Sequence, residues 1–296
     1  MNFIFDPPYK ILVTTMLFLT YSFTIAENST LIAIIQLEVS LRTPMYFFLG
    51  NFSFLECCFT TIVIPKTLYI LITDNRNILC SSCIVQLYIF TSLGATECLL
   101  LATMAYDRFT AICYPLYYMI MINRNVCILL VFSSWVIGFL SPLLPAIFIS
   151  QIHFCSYRLN HFFCDVPPIL QLACSSTRHI ELTVSLVSSV ILMSSFIVIA
   201  VSYSRIAWTI TAMQSKSGFQ KAISTCASHL TVVFIYYGSG MYMYVRPNSH
   251  ETLETNKLVA LLYSVLTPIL NPLIYSFRNN DVNVAFKRWF QFSLKR

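Results

Sequence analysis

Long, nearly uncharged apolar runs alternate along this chain with short polar segments, and within the runs apolar positions are continuous rather than spaced every second residue. A bilayer core takes roughly 20 mostly apolar residues as a helix. Runs of that kind occupy about 11–35, 46–70, 84–106, 126–149, 181–206, 222–245 and 257–277. Continuous runs predict helices rather than barrel strands, since a helix satisfies its backbone hydrogen bonds within one segment. The predicted fold is therefore an all-α membrane protein, a seven-transmembrane helix bundle forming a single domain over residues 1–296. The run from Leu12 to Ile35 is too long for a signal peptide's apolar region and shows no small-residue cleavage site, so it is read as a helix that stays.

Beyond Asn279 the pattern changes. Val284, Phe286 and the Trp289–Phe290 pair fall near one face with Lys287 and Arg288 beside them, which predicts a short amphipathic C-terminal helix over about 280–292, lying along the membrane surface. It contains no cysteine, so palmitoylation there is excluded.

Composition agrees with lipid as the main solvent, because 57% hydrophobic and 10% charged residues leave too little polar surface to coat a soluble globule. The charges also orient the chain, since Lys and Arg are retained on the cytoplasmic side. With the N-terminus outside, eleven fall inside: Arg42, Arg108, Arg124, Arg205, Lys216, Lys221, Arg278, Lys287, Arg288, Lys295 and Arg296. Six fall outside (Lys10, Arg76, Arg158, Arg178, Arg246 and Lys257), and Lys66 lies within the second span. The net charge of +6 thus reads as membrane orientation, and no basic cluster suits nucleic acid.

Of the eleven cysteines, Cys80, Cys83, Cys155, Cys164 and Cys174 lie outside or at the outer rim, where disulfides form. Five allow two bridges with one left over, and the connectivity stays open. Three of them sit in the longest non-membrane segment, about 150–180. A structureless loop of that length calls for a function or a staple, and cross-linking to the top of the third span would make it a lid.

Met104-Ala-Tyr-Asp-Arg-Phe-Thr-Ala-Ile-Cys113 resembles the signature of odorant receptors, a branch of the rhodopsin-like G-protein-coupled receptors. Five further blocks agree: Leu41–Leu49, His161–Asp165, Ser202-Tyr203, Lys221–Leu230 and Pro268–Asn279. The chain departs from the pattern at Glu27, where a glycine is usual, at Phe109-Thr110 in place of Tyr-Val, and at Phe219, where a basic residue is common. Its sequons at Asn28 and Asn51 lie inside predicted helices, where no glycan can be attached.

The resemblance implies bridges Cys83–Cys164 and Cys155–Cys174, with Cys80 left over. It implies an activation switch and coupling surface for a stimulatory heterotrimeric G protein at the inner end, built from Asp107, Arg108, Tyr203, Lys221, His229, Asn271, Pro272 and Tyr275. Asn28, Glu56, Glu97 and Asn271 should converge in the interior if the helices pack as in the family. Acids near mid-membrane are functional by default, and two sharing a site either share a proton or enclose a cation such as sodium. No other cofactor is expected and no metal site is assigned. His161-x-x-Cys164-Asp165 is a weak metal signal, since a bridged Cys164 has no thiolate to offer.

Counting along the helices from these motifs places the ligand-binding candidates in the outer half of the bundle. They are Phe90, Thr91, Gly94 and Ala95 on the third span, Val187, Ser188 and Ile191 on the fifth, Tyr237, Met241 and Tyr244 on the sixth, and Leu261 and Ser264 on the seventh. Phe90 stands where an amine receptor would carry an acid, and Lys257 lies too far out to hold retinal. The expected partner is a small, mostly apolar volatile odorant, and the expected location the plasma membrane of olfactory sensory neuron cilia. A non-signalling or poorly trafficked member of the same family is the alternative. A transporter would call for repeats or discontinuous helices, and an enzyme for a clustered nucleophile and base; neither pattern is present.

Overall fold

The computed structural model describes residues 7–73, 75, 78–156, 159, 163–212, 216–244, 282, 284–286 and 288; between 216 and 244 the described side chains are those of 223, 226, 227 and 229–241. The expected seventh span and most of the expected surface helix lie outside the described residues.

The helices are α1 (Pro7–Leu37), α2 (Pro44–Thr73), α3 (Cys80–Cys113), α4 (Tyr118–Met121), α5 (Arg124–Leu140), α6 (Leu143–Ser150), α7 (Val166–Leu170), α8 (Arg178–Thr211) and α9 (Lys216–Tyr244), with a 3-10 turn at Val39–Leu41. Among the described residues, five stretches are long and apolar enough to cross a bilayer: α1, α2, α3, α5 with α6, and α8. Helix α9 occupies the sixth predicted run. Observed helices overrun the apolar runs at both ends. The 34 residues of α3 span about 51 Å at 1.5 Å per residue, against a hydrocarbon core of about 30 Å. Hydropathy marks the part in lipid, whereas the hydrogen-bonded helix continues into the headgroups.

The fourth predicted run is not one helix. It breaks between Leu140 and Leu143, because Pro142 has no N–H to donate and its ring collides with the carbonyl four residues back. Pro65 lies inside α2, which runs on through it.

Helix α3 is the hub, packing against α2, α5, α6, α8 and α9. Its neighbours can come close where side chains are small. A Cβ on Gly138 of α5 would lie 2.9 Å from both the Cα and the N of Thr96, and would collide with the Thr96 hydroxyl as well. Small residues of this kind let membrane helices pack backbone to backbone. Buried hydroxyls return to their own helix: Thr60 to the Glu56 carbonyl at 2.9 Å and Thr96 to that of Ser92 at 2.9 Å. That satisfies them where no water is at hand. Tyr9, Ile11, Leu12, Met16, Phe18 and Leu19 of α1 are exposed, as a lipid-facing surface requires.

Both asparagines of the two sequons sit within helices. Asn28 is buried in α1, and Asn51 in α2 donates to the Phe47 carbonyl at 2.8 Å. Near the C-terminus, Val282 and Ala285 are buried against the bundle while Val284 and Phe286 face outward. Arg288 reaches Glu38, beyond the inner end of α1, at 3.3 Å.

Candidate functional site

The end of the bundle predicted to lie outside, its outer end, is covered by the described residues of the segment between α6 and α8. Disulfides Cys83–Cys164 and Cys155–Cys174 bind it to the top of α3 and to itself, and Cys80 is a free, exposed thiol. Gln86 adds a clamp that the sequence reading missed. Its Nε2 donates to the Ile62 carbonyl of α2 at 2.7 Å, while its Oε1 accepts from the backbone N–H of Cys164 at 3.1 Å. Asp165 then caps α7 through the Val166 N–H at 2.7 Å. Phe163, Cys164 and Asp165 are all buried, with Phe163 packed on Phe90 at 4.7 Å between ring centroids.

Under this lid lies a cavity of about 100 Å³. Phe90, Thr91, Gly94 and Ala95 of α3 border it, as do Val187, Ser188 and Ile191 of α8. Further wall comes from Phe59, from Ser141, Pro142 and Pro145 at the break in the fourth span, and from Val166 of the lid. The break at Pro142 therefore forms part of the cavity wall.

On α9 the geometry departs from the expectation. Tyr236, Ser239 and Gly240 border the cavity, and Tyr237 and Met241 do not. The reason is helical phase. At 100° per residue, steps of 7 and 11 residues from His229 return to within about 20° of its face and the step of 10 to Ser239 lands about 80° to one side, whereas steps of 8 and 12 land about 80° and 120° to the other. Tyr237 instead donates to Ser195 Oγ at 2.7 Å, with the Cys98 carbonyl at 3.3 Å, and Met241 packs on the core. Tyr236 donates to the Gly94 carbonyl at 2.7 Å, tying α9 to α3 across the cavity. Gly94 leaves room for it, as a Cβ there would lie 3.2 Å from the phenol oxygen. The side chain of Tyr244 and the whole of Leu261 and Ser264 lie outside the described residues.

Midway through the bundle, Asn28, Glu56 and Glu97 are buried on α1, α2 and α3. The two acids are close enough to interact electrostatically. Among the described residues, Glu97 Oε1 and Asn28 Oδ1 are buried acceptor atoms with no hydrogen-bond donor. Asn271 lies outside the described residues, as does His161. Among the described residues no three His, Cys, Asp or Glu side chains group as metal ligands.

At the inner end, Asp107 and Arg108 are both buried. The Asp107 carboxylate accepts from the Tyr118 hydroxyl at 2.7 Å. Burial and the facing carboxylate both push the Tyr118 phenol's ionisation up, so it remains a donor. The sequence reading did not single out Tyr118. Tyr203 pairs with His229 at 2.9 Å, joining α8 to α9. Between α3 and α5 the chain bares apolar side chains, with Leu116 90%, Met119 63% and Ile120 71% exposed. The side chain of Lys221, and Pro272 and Tyr275 altogether, lie outside the described residues.

The family profile described as "Olfactory receptor" matches residues 17–292. Olfactory receptor 6Q1 of Homo sapiens is 47% identical over 279 residues, covering 93% of this chain and 88% of the relative. Olfactory receptor 6C4 of Homo sapiens is 46% identical over 283 residues, covering 95% and 92% respectively.

Proposed function

The chain belongs to the olfactory receptor family, and from that premise we propose that it binds small, mostly apolar volatile odorants in the outer cavity and activates a stimulatory, olfactory-type heterotrimeric G protein to raise cAMP. It is a multi-pass membrane receptor and not an enzyme. The observation that carries the proposal is the stacking of two features along α3. An apolar cavity roofed by a stapled lid lies at one end, and a buried Asp107–Arg108 pair flanked by bare apolar surface lies at the other.

A ligand can activate only by binding one arrangement of the helices better than another. The cavity touches α3, α8 and α9, whose inner ends carry Arg108, Tyr203 and His229. A shift among these helices reaches both ends. Motion of the inner end of α9 would open space beside Arg108, and the exposed apolar patch at Leu116 and Ile120 near this polar switch suits a protein partner. The lid carries the disulfides and so faces the exoplasmic side, the N-terminus is extracellular, and the site of action is the cilium of the olfactory sensory neuron.

Glu56, Glu97 and Asn28 form the seat of a sodium ion that favours the resting state, to which the family resemblance would add Asn271. Buried oxygens without donors suit a hard cation. A resting state of the purified receptor whose stability ignores sodium, with potassium as the control, would count against the ion.

The test of the main reading is an epitope-tagged receptor stained at the cell surface and assayed for cAMP over an odorant panel. Odorant-driven cAMP that vanishes in Arg108→Ala at normal surface density supports it. Unchanged cAMP in that variant sinks the switch. A chain that never reaches the surface returns the reading to a silent family member.

A further inference from the structure

Resting on the odorant reading above, the cavity wall narrows the ligand's chemistry. A hydroxyl has one hydrogen to give, and nearly every hydroxyl in this wall has given it. Thr91 donates to the Leu87 carbonyl at 2.9 Å, Ser239 to that of Ile235 at 2.8 Å, Ser141 to that of Gly138 at 3.4 Å, and Tyr236 to that of Gly94 at 2.7 Å. Ser188, half-buried on α8, is different. Among the described residues it is the one wall hydroxyl with no partner within the protein. No described wall residue is charged.

We propose that Ser188 is a specificity-determining donor, and that the ligand is a neutral molecule with a hydrocarbon body and an oxygen acceptor, of the ketone, aldehyde, ester or ether class. Such a ligand replaces the water on the Ser188 hydroxyl with an equivalent bond. A pure hydrocarbon strips that water and returns nothing, leaving the donor unmade, and this penalty is the source of discrimination. A cation meets no counter-charge in the described wall and must shed its hydration without recompense. The committed hydroxyls contribute little to this choice, because engaging their hydrogens means breaking a bond already made.

The experiment compares ketones, esters, alkanes and primary amines of matched chain length for cAMP potency on the surface-expressed receptor. Ketones or esters should outrank their alkanes and amines. Ser188→Ala should weaken the oxygenated ligands about tenfold, the usual size of one hydrogen bond, while Ser188→Thr, which keeps a hydroxyl, retains most of the potency. The ranking on the unmodified receptor needs no variant to fold. An alkane or amine as potent as its ketone, or a ketone response indifferent to Ser188→Ala, overturns this inference and leaves the odorant reading standing. A surface-expressed receptor silent to the whole panel overturns the odorant reading itself.

Discussion

His229 binds two helices at once: its Nδ1 lies 2.9 Å from the Tyr203 hydroxyl of α8, and its Nε2 lies 3.1 Å from the Leu101 carbonyl of α3. A carbonyl only accepts, so in the neutral ring Nε2 carries the proton and Nδ1 accepts from Tyr203. The rings also stack, at 5.7 Å between centroids. Tyr203→Phe should lower thermal stability by about 0.6–1.7 kcal/mol, the range for hydrogen bonds between membrane helices. His229→Phe should cost more, since it loses both bonds. The double variant should then fall short of the sum, and additive melting shifts would show that the two residues are not coupled.

Gly138 of α5 lies against the backbone of Thr96 on α3. Gly138→Ala should destabilise by about 1–3 kcal/mol through overpacking. It should also reduce surface density, because the 2.9 Å contacts are to backbone atoms that cannot rotate away. Gly238→Ala serves as the control, since a Cβ there meets nothing within 4 Å. Equal melting temperatures for the two variants would refute the close-packing account.

The bridge Cys83–Cys164 joins residues 81 apart in sequence, and Cys155–Cys174 residues 19 apart. Loop-closure entropy rises with length, so the first should contribute about 4–5 kcal/mol and the second about 3. Cys83→Ser should therefore lower surface expression and odorant response more than Cys155→Ser, and Cys80→Ser should be neutral. Flow cytometry on the three variants would decide it, and a severe loss from Cys80→Ser would mean that the pairing differs.

Leu116 is 90% exposed and touches little of the bundle. Leu116→Asp should leave stability within about 0.5 kcal/mol and odorant affinity unaltered, yet reduce cAMP several-fold if this patch meets the G protein. Full signalling by that variant would place the coupling surface elsewhere.

Tyr118→Phe removes the donor that faces the buried Asp107 carboxylate. An unsatisfied buried acceptor costs about 1–3 kcal/mol, so the variant should melt lower and its basal cAMP should shift. Unchanged values for both would show that Asp107 is held by other partners.

How far the sequence can be read depends on the kind of order involved. The five spans found among the described residues were legible because hydropathy is local and cumulative, and the third-span and fifth-span residues that border the cavity because α3 and α8 are unbroken helices on which counting keeps its phase. Counting lost its phase on α9, where Tyr237 was expected and Tyr236 borders the cavity. It also failed at the fourth span, where Pro142 was visible but its place in the cavity wall was not. Gln86, Tyr118 and Gly138 escaped notice because each matters through a partner at least eleven positions away in sequence.

By itself the sequence determined that this chain crosses a membrane as helices and to which family it belongs, because lipid transfer and motif identity are properties of residues in order. Only the tertiary structure decided which side chains share a wall, which hydroxyls have already given their hydrogens, and which helices His229 ties together. Those are relations between helices, fixed by packing phase and by which carbonyl lies within 3 Å of which donor.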